Sequence, residues 1–197
     1  PRFSIWKTEG KLPFLDLINP NVSFDFLGGM FLSIFRKKNW DDHVNSLDSN
    51  ALKDERMFSH FDNTFPHVTV FANAFSKSTA YFNAKPLNIC LSGIREWSAM
   101  YPMIHSVRLI EALQKYKENG LSFWKYHYYK NFALNNFIPD LGYMVFNRNK
   151  SGISYISIPR LICNYLLYPN TYLSLFYYIG RKIKVIFSRS INIITKD

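Results

Sequence analysis

The sequence lacks the signatures of several common enzyme classes. It contains none of the motifs Gly-x-Ser-x-Gly, Gly-x-x-x-x-Gly-Lys, Gly-x-Gly-x-x-Gly, His-Glu-x-x-His and Asp-x-Asp. Hydrolase, NTPase, dehydrogenase and zincin assignments therefore lose support. The two cysteines, Cys90 and Cys163, lie in apolar surroundings without C-x-x-C spacing, which favours buried, reduced thiols over a disulfide or metal ligands. Asp41-Asp42-His43 has metal-ligating residue types but a solvated context, and it predicts a surface turn rather than a metal site.

Long apolar runs are also missing, and none approaches the ~20 residues that a membrane-spanning helix needs. The 197 residues are nevertheless 48% hydrophobic, which is enough to bury a substantial core. The chain starts at Pro1 without an initiator Met or an apolar leader. We therefore expect further sequence to precede it.

Acidic residues are scarce in the last quarter of the chain. Residues 1–140 carry 16 basic and 13 acidic residues (net +3), whereas residues 141–197 carry 8 basic residues and only Asp197 (net +7). Clustered cations attract either an anionic membrane surface or a nucleic acid backbone. Nucleic acid is the less favoured partner, because no Gly-rich or RNP-like signature accompanies the cations.

The cations of the last segment are mixed with Ile, Val and Phe, as in helices that lie among lipid headgroups. The predicted membrane contacts are Arg181, Lys182, Lys184 and Arg189. The alternative is that this segment packs on the main domain while its cations extend to water.

The pattern of apolar, Gly and Pro residues predicts a mixture of helices and short strands. We expect strands over 24–36, 79–83 and 87–91, a short strand near 3–6 in an otherwise irregular 1–21, and helices over 50–57, 64–75, 102–119 and 122–136. Gly120 should end the third helix, and Pro139-Asp140 should end the fourth. Arg108 is predicted to lie on an exposed polar stripe of the third helix.

Three segments of the first half resemble a known family. They are Leu27-Gly-Gly-Met-Phe-Leu-Ser-Ile-Phe-Arg-Lys-Lys-Asn-Trp40, then Thr64-Phe-Pro-His-Val68, then Lys85-Pro-Leu-Asn-Ile-Cys90. Their order and spacing are similar to those in abequosyltransferase-like members of bacterial glycosyltransferase family 2. The resemblance covers residues 24–120 and concerns the acceptor-side (C-terminal) half of such enzymes. It implies an α/β fold (α+β in this chain), a partial GT-A-like half with a few short mixed strands followed by several helices.

The resemblance also implies a domain organisation and an activity. Residues 1–100 would be the acceptor-side part of the catalytic domain, 101–150 a helical extension, and 151–197 a basic aromatic tail. The activity would be inverting transfer of a sugar from a nucleotide-sugar donor to a saccharide acceptor, expected to be lipid-linked, in surface polysaccharide synthesis. The location would be cytoplasmic and peripheral at the inner membrane face. The nucleotide-binding half would precede this chain, which alone should be inactive.

Catalysis by such an enzyme needs a base for the acceptor hydroxyl, and a divalent metal (Mg or Mn) is expected, with ligands outside this chain. The Glu-Asp pair that many family members carry at the helix near Thr64 is missing here, so the candidates for the base are Asp62 and His67. Asp62 could instead only cap the helix, and His67 could only satisfy a buried hydrogen bond. Gly28 and Gly29 could let the backbone approach the donor sugar, or form a tight bend.

The acceptor is predicted to bind after the last strand, where charged and aromatic side chains occur together. The candidates are Arg95, Glu96, Trp97, Tyr101 and His105. Sugars are held by such mixtures of stacking and charged hydrogen bonds, although an ion pair beside a packed Trp would look the same. The non-enzyme alternative for the whole chain is a basic membrane-associated or interaction module.

Overall fold

A computed structural model of the protein describes residues 9–20, 33–83, 85 and 96–194, with side chains throughout except at Glu96 and residues 184–194. The described chain is mostly helical and carries one two-stranded antiparallel sheet, which agrees with the predicted mixture of helices and short strands. The helices are α1 (Lys37–Asp41), α2 (Ser49–Lys53), α3 (Phe61–Thr64), α4 (Pro66–Phe75), α5 (Tyr101–Met103), α6 (Leu109–Glu118), α7 (Phe123–Ala133), α8 (Phe137–Phe146), α9 (Ile158–Tyr165) and α10 (Pro169–Ile194).

Short 3-10 segments connect several of these helices. They are Phe14–Ile18, Val44–Ser46, Glu96–Met100, Leu134–Asn136 and Ile153–Tyr155. A π-helical turn, Ile104–Arg108, joins α5 to α6, so that 101–118 is one continuous helix close to the predicted 102–119. Gly120 ends it in a left-handed conformation (φ 108°), as predicted.

The sheet pairs β1 (Gly10–Pro13) with β2 (Thr79–Phe82), so that Gly10 lies opposite Phe82. The second strand was predicted, but the first lies in a region predicted to be irregular, and that prediction was wrong. Leu12 faces the core while its neighbours stay more exposed, which is the alternation of a half-buried strand. Residues 33–36, the described end of the strand predicted over 24–36, are not in a strand. The strands predicted near 3–6 and over 87–91 lie outside the described residues.

Proline lies in the first turn of helices in this protein. The helix predicted over 122–136 ends as expected, because α7 and the 3-10 segment that follows it stop at Asn136. Pro139 and Asp140 lie in the first turn of a further helix, α8, which was not predicted. A proline is tolerated there because the first turn has no intrahelical partner for its missing N–H. Pro169 likewise begins α10, and Gly180 lies inside that helix.

Two clusters of buried side chains form the core, and both draw on the helix 101–118. The first contains Leu12, Phe14, Val68, Phe71, Leu113 and Tyr116, and the second contains Met103, Val107, Leu134, Phe137, Met144 and Tyr165. Cys163, predicted to be buried, is exposed on α9. Within the described residues, no helix combines the length and apolar character needed to cross a membrane.

Candidate functional site

The two candidate bases lie at the junction of α3 and α4, and both are buried. The carboxylate of Asp62 accepts hydrogen bonds from the Asp48 backbone N–H (2.8 Å) and from Thr69 Oγ1 (2.5 Å). It therefore joins the loop before α2 to the first turns of α4. His67 packs edge-on against the rings of Phe65 and Phe71, with centroid distances of 5.9 and 5.8 Å. Both side chains thus have structural contacts, but Asp62 does not cap α4, which starts without a side-chain cap hydrogen bond.

The loop between α2 and α3 is held by a polar network centred on Asp54. Its carboxylate accepts hydrogen bonds from Arg56 Nη2 (2.6 Å) and Ser59 Oγ (2.9 Å), and His60 Nε2 lies 3.0 Å away. The hydrogen bonds from Arg56 hold the pKa of Asp54 well below its usual range. This loop presents Phe58, whose φ of 61° is unfavourable for a bulky side chain.

Three of the predicted acceptor-binding residues form a continuous aromatic row. Trp97 packs on Tyr101 (ring centroids 4.9 Å apart), and Tyr101 packs on His105 (5.8 Å). Trp97 lies in the 3-10 segment before α5, and Tyr101 and His105, four residues apart, continue the row along one side of the helix 101–118. Trp97 is half-buried, while Tyr101 and His105 are exposed. We call Trp97, Tyr101 and His105 the aromatic platform.

A buried arginine fixes the base of the aromatic platform. Arg108 donates to the backbone carbonyls of Phe58 (3.0 Å) and Ser59 (2.6 Å), and Phe58 packs edge-on against Trp97 at 5.4 Å. Arg108 also pairs with Glu111 at 2.7 Å. The prediction that Arg108 lies on an exposed stripe was wrong, because the π-helical turn is buried on nearly every side. The carbonyls that it binds lie 49 and 50 residues earlier, beyond what helical periodicity can show.

The other predicted site residues are only partly described. Gly28, Gly29 and Arg95 lie outside the described residues, and only the backbone of Glu96 is described, in the 3-10 segment before α5. Among the predicted membrane contacts, Arg181 donates to Asn136 Oδ1 (2.6 Å) and Lys182 lies over the Tyr178 ring (5.3 Å). The side chains of Lys184 and Arg189 lie outside the description.

The acidic and imidazole side chains do not form a metal centre in the part of the chain that is described. Across 9–20, 33–83, 85 and 96–194, no group of three or more His, Cys, Asp or Glu side chains is placed to hold an ion. The expected Mg or Mn, whose ligands the resemblance puts outside this chain, stays a prediction. A comparison of the chain with protein-family models gave no match, and neither did comparisons with curated proteins or with solved structures.

Proposed function

We propose that the chain is the acceptor-side part of a family 2-like glycosyltransferase, and that the aromatic platform binds the saccharide acceptor. The donor would be a nucleotide-sugar, and the acceptor a lipid-linked saccharide. The single observation that carries the proposal is the row of three partly exposed rings, Trp97, Tyr101 and His105, on a support fixed by Arg108.

The chemistry of the aromatic platform suits a sugar. The apolar C–H face of a pyranose stacks on an aromatic ring, while the indole N–H, the phenol and the imidazole offer hydrogen bonds to its hydroxyl groups. The buried side of the row rests on Phe58, so the rings present a fixed surface. Binding then orders few side chains, which lowers its entropic cost.

Proton abstraction by Asp62 or His67 stays a prediction within this proposal. Both oxygens of Asp62 already accept structural hydrogen bonds, and both side chains are buried. Acting as a base would require the loop before α2 to move away from Asp62.

The test uses the product of the complete coding sequence. Labelled nucleotide-sugars are supplied one at a time with membranes of the expression host, and transfer of label to the lipid fraction is measured. Replacing Trp97 by Ala removes one stacking partner, worth ~1.4 kcal/mol, so KM for the lipid-linked acceptor should rise about tenfold. KM for the nucleotide-sugar should stay unchanged.

The matched control is Trp124→Ala, which removes an exposed tryptophan from α7, away from the aromatic platform. This variant should transfer sugar like the wild type. The proposal fails if the complete product transfers no sugar from any donor, or if Trp97→Ala and Trp124→Ala change the acceptor KM equally.

A further inference from the structure

The last helix exposes many apolar side chains, and four of them form a stripe along one side. Tyr172, Phe176, Ile179 and Ile183 are 55%, 68%, 45% and 48% exposed and follow each other at intervals of four, three and four residues. That spacing places them along one side of α10. We call these four residues the outward stripe.

The opposite side of α10 is the one that contacts the body of the protein. Thr171 and Ser174 are buried there, and Ser174 Oγ accepts a hydrogen bond from the Ile138 N–H (3.1 Å) at the start of α8. About two turns further on, Arg181 binds Asn136. The helix is therefore fixed in rotation, with the outward stripe turned away from the core.

The turn before α10 extends this apolar surface. Leu167 is 91% exposed, and its neighbour Leu166 is also exposed. The Tyr172 hydroxyl donates to the Leu166 carbonyl at 2.7 Å, so the turn and the outward stripe are held together. A contiguous apolar surface of this kind on a folded protein marks an interaction site.

Charge decides which occupant fits this surface. Residues 141–197 carry a net charge of +7, and the exposed Arg160 lies on the helix that leads into the turn. A second copy of the chain would bring two such positive segments together, which is unfavourable. An anionic bilayer instead accepts apolar side chains below its headgroups and cations at them, and Tyr favours that boundary.

We propose that the outward stripe and the turn at Leu166 and Leu167 dock on a bilayer surface that contains anionic lipid. Phe176 and the two isoleucines enter the boundary between headgroups and acyl chains, and the helix lies parallel to the surface. The proposal does not depend on the glycosyltransferase activity, which another surface would perform.

The experiment measures cosedimentation of the full chain with vesicles of phosphatidylglycerol and phosphatidylcholine, and with vesicles of phosphatidylcholine alone. The wild type should bind the anionic vesicles at least about tenfold more tightly, with an affinity that falls as salt rises. Phe176→Ser combined with Ile179→Ser should weaken that binding about tenfold or more, because two buried apolar contacts are lost.

Tyr81→Ser is the matched control, because Tyr81 is an equally exposed aromatic residue in the two-stranded sheet. It should bind vesicles within twofold of the wild type. Circular dichroism checks that each variant keeps its helix content. Unchanged vesicle binding by the double variant overturns the proposal. So does the same loss in the Tyr81 variant, or light scattering in which the double variant loses only self-association.

Discussion

Asp62 should stabilise the fold, and its replacement tests whether this buried carboxylate is structural. Asp62→Ala removes the acceptor for the Asp48 N–H and for the Thr69 hydroxyl, and the latter is buried. A hydrogen bond to a charged group contributes ~1.5–3 kcal/mol, and a buried donor left without its acceptor adds a desolvation cost. Since the Thr69 hydroxyl can rotate toward another acceptor, we expect a loss of about 2–4 kcal/mol in the free energy of unfolding.

Urea unfolding followed by circular dichroism measures this loss. Asp41→Ala is the control, because Asp41 forms an exposed pair with Lys37 (2.5 Å) that should be worth less than ~0.5 kcal/mol. In a double-mutant cycle, Asp62→Ala and Thr69→Val should show a coupling energy of about 1 kcal/mol. A stability of Asp62→Ala within ~0.5 kcal/mol of the wild type would refute the reasoning.

The same residue separates positioning from catalysis in the complete gene product. Asp62→Asn keeps the shape of the side chain and one acceptor oxygen but cannot take a proton from a hydroxyl group. If Asp62 only positions α4, turnover and thermal stability should fall together by modest amounts. A fall in kcat of about a thousandfold or more at unchanged stability would show instead that Asp62 is the base.

Substitutions at Asp140, Lys130 and Gly152 test the packing around the two core clusters, with Gly142 as a control. Burial raises the pKa of Asp140 to about 6 from an ordinary 3.8, so ionising this carboxyl disfavours the folded state. The free energy of unfolding should therefore fall by about 3 kcal/mol as the pH rises from 4 to 6. Urea titrations of Asp140→Asn should lack that pH dependence. Burial lowers the pKa of Lys130 to about 8, so stability should rise from pH 8 to 10 in the wild type and stay flat in Lys130→Met, by the same assay. Gly152→Ala should lower the free energy of unfolding by about 1–3 kcal/mol, because φ is 72° and a Cβ would lie 2.8 Å from Met103 Sδ. Gly142 lies inside α8 with open space around it, so Gly142→Ala should instead raise the free energy of unfolding by ~0.5–1 kcal/mol. Thermal unfolding measures both changes.

Local sequence signals predicted the helices well where the signal and the packing agree. Gly120 ends the helix 101–118 as expected, since a left-handed residue needs no tertiary partner to do so. The Thr-Phe-Pro-His segment starts α4 close to the predicted residue, because Pro66 suits a first turn. β2 was also recognisable from its composition.

The sequence-based predictions missed features that depend on hydrogen bonds to residues far away in the chain. The start of α8 was not predicted, because the Ile138 N–H in its first turn donates to Ser174, 36 residues later. Arg108 fits a polar stripe in a helical projection, yet its guanidinium binds carbonyls about 50 residues earlier. No periodicity within one helix contains that information.

The candidate site was predicted in part for the same reason. Trp97, Tyr101 and His105 are spaced four residues apart in one short stretch of the chain, so their grouping could be predicted from the sequence. The burial of Asp62 depends on Asp48, 14 residues away in a loop, and the sequence therefore left a cap and a base as open alternatives.

The π-helical turn Ile104–Arg108 positions both proposed surfaces. From this turn, Arg108 binds the loop that supports the aromatic platform, and Ser106 donates to Asp140 at 2.6 Å. Asp140 also accepts from Asn136, whose side-chain oxygen accepts from Arg181 of α10. Because a π turn adds a residue to the helical repeat, it directs these neighbouring polar side chains toward two different parts of the chain. The aromatic platform and the orientation of the outward stripe thus depend on one short segment.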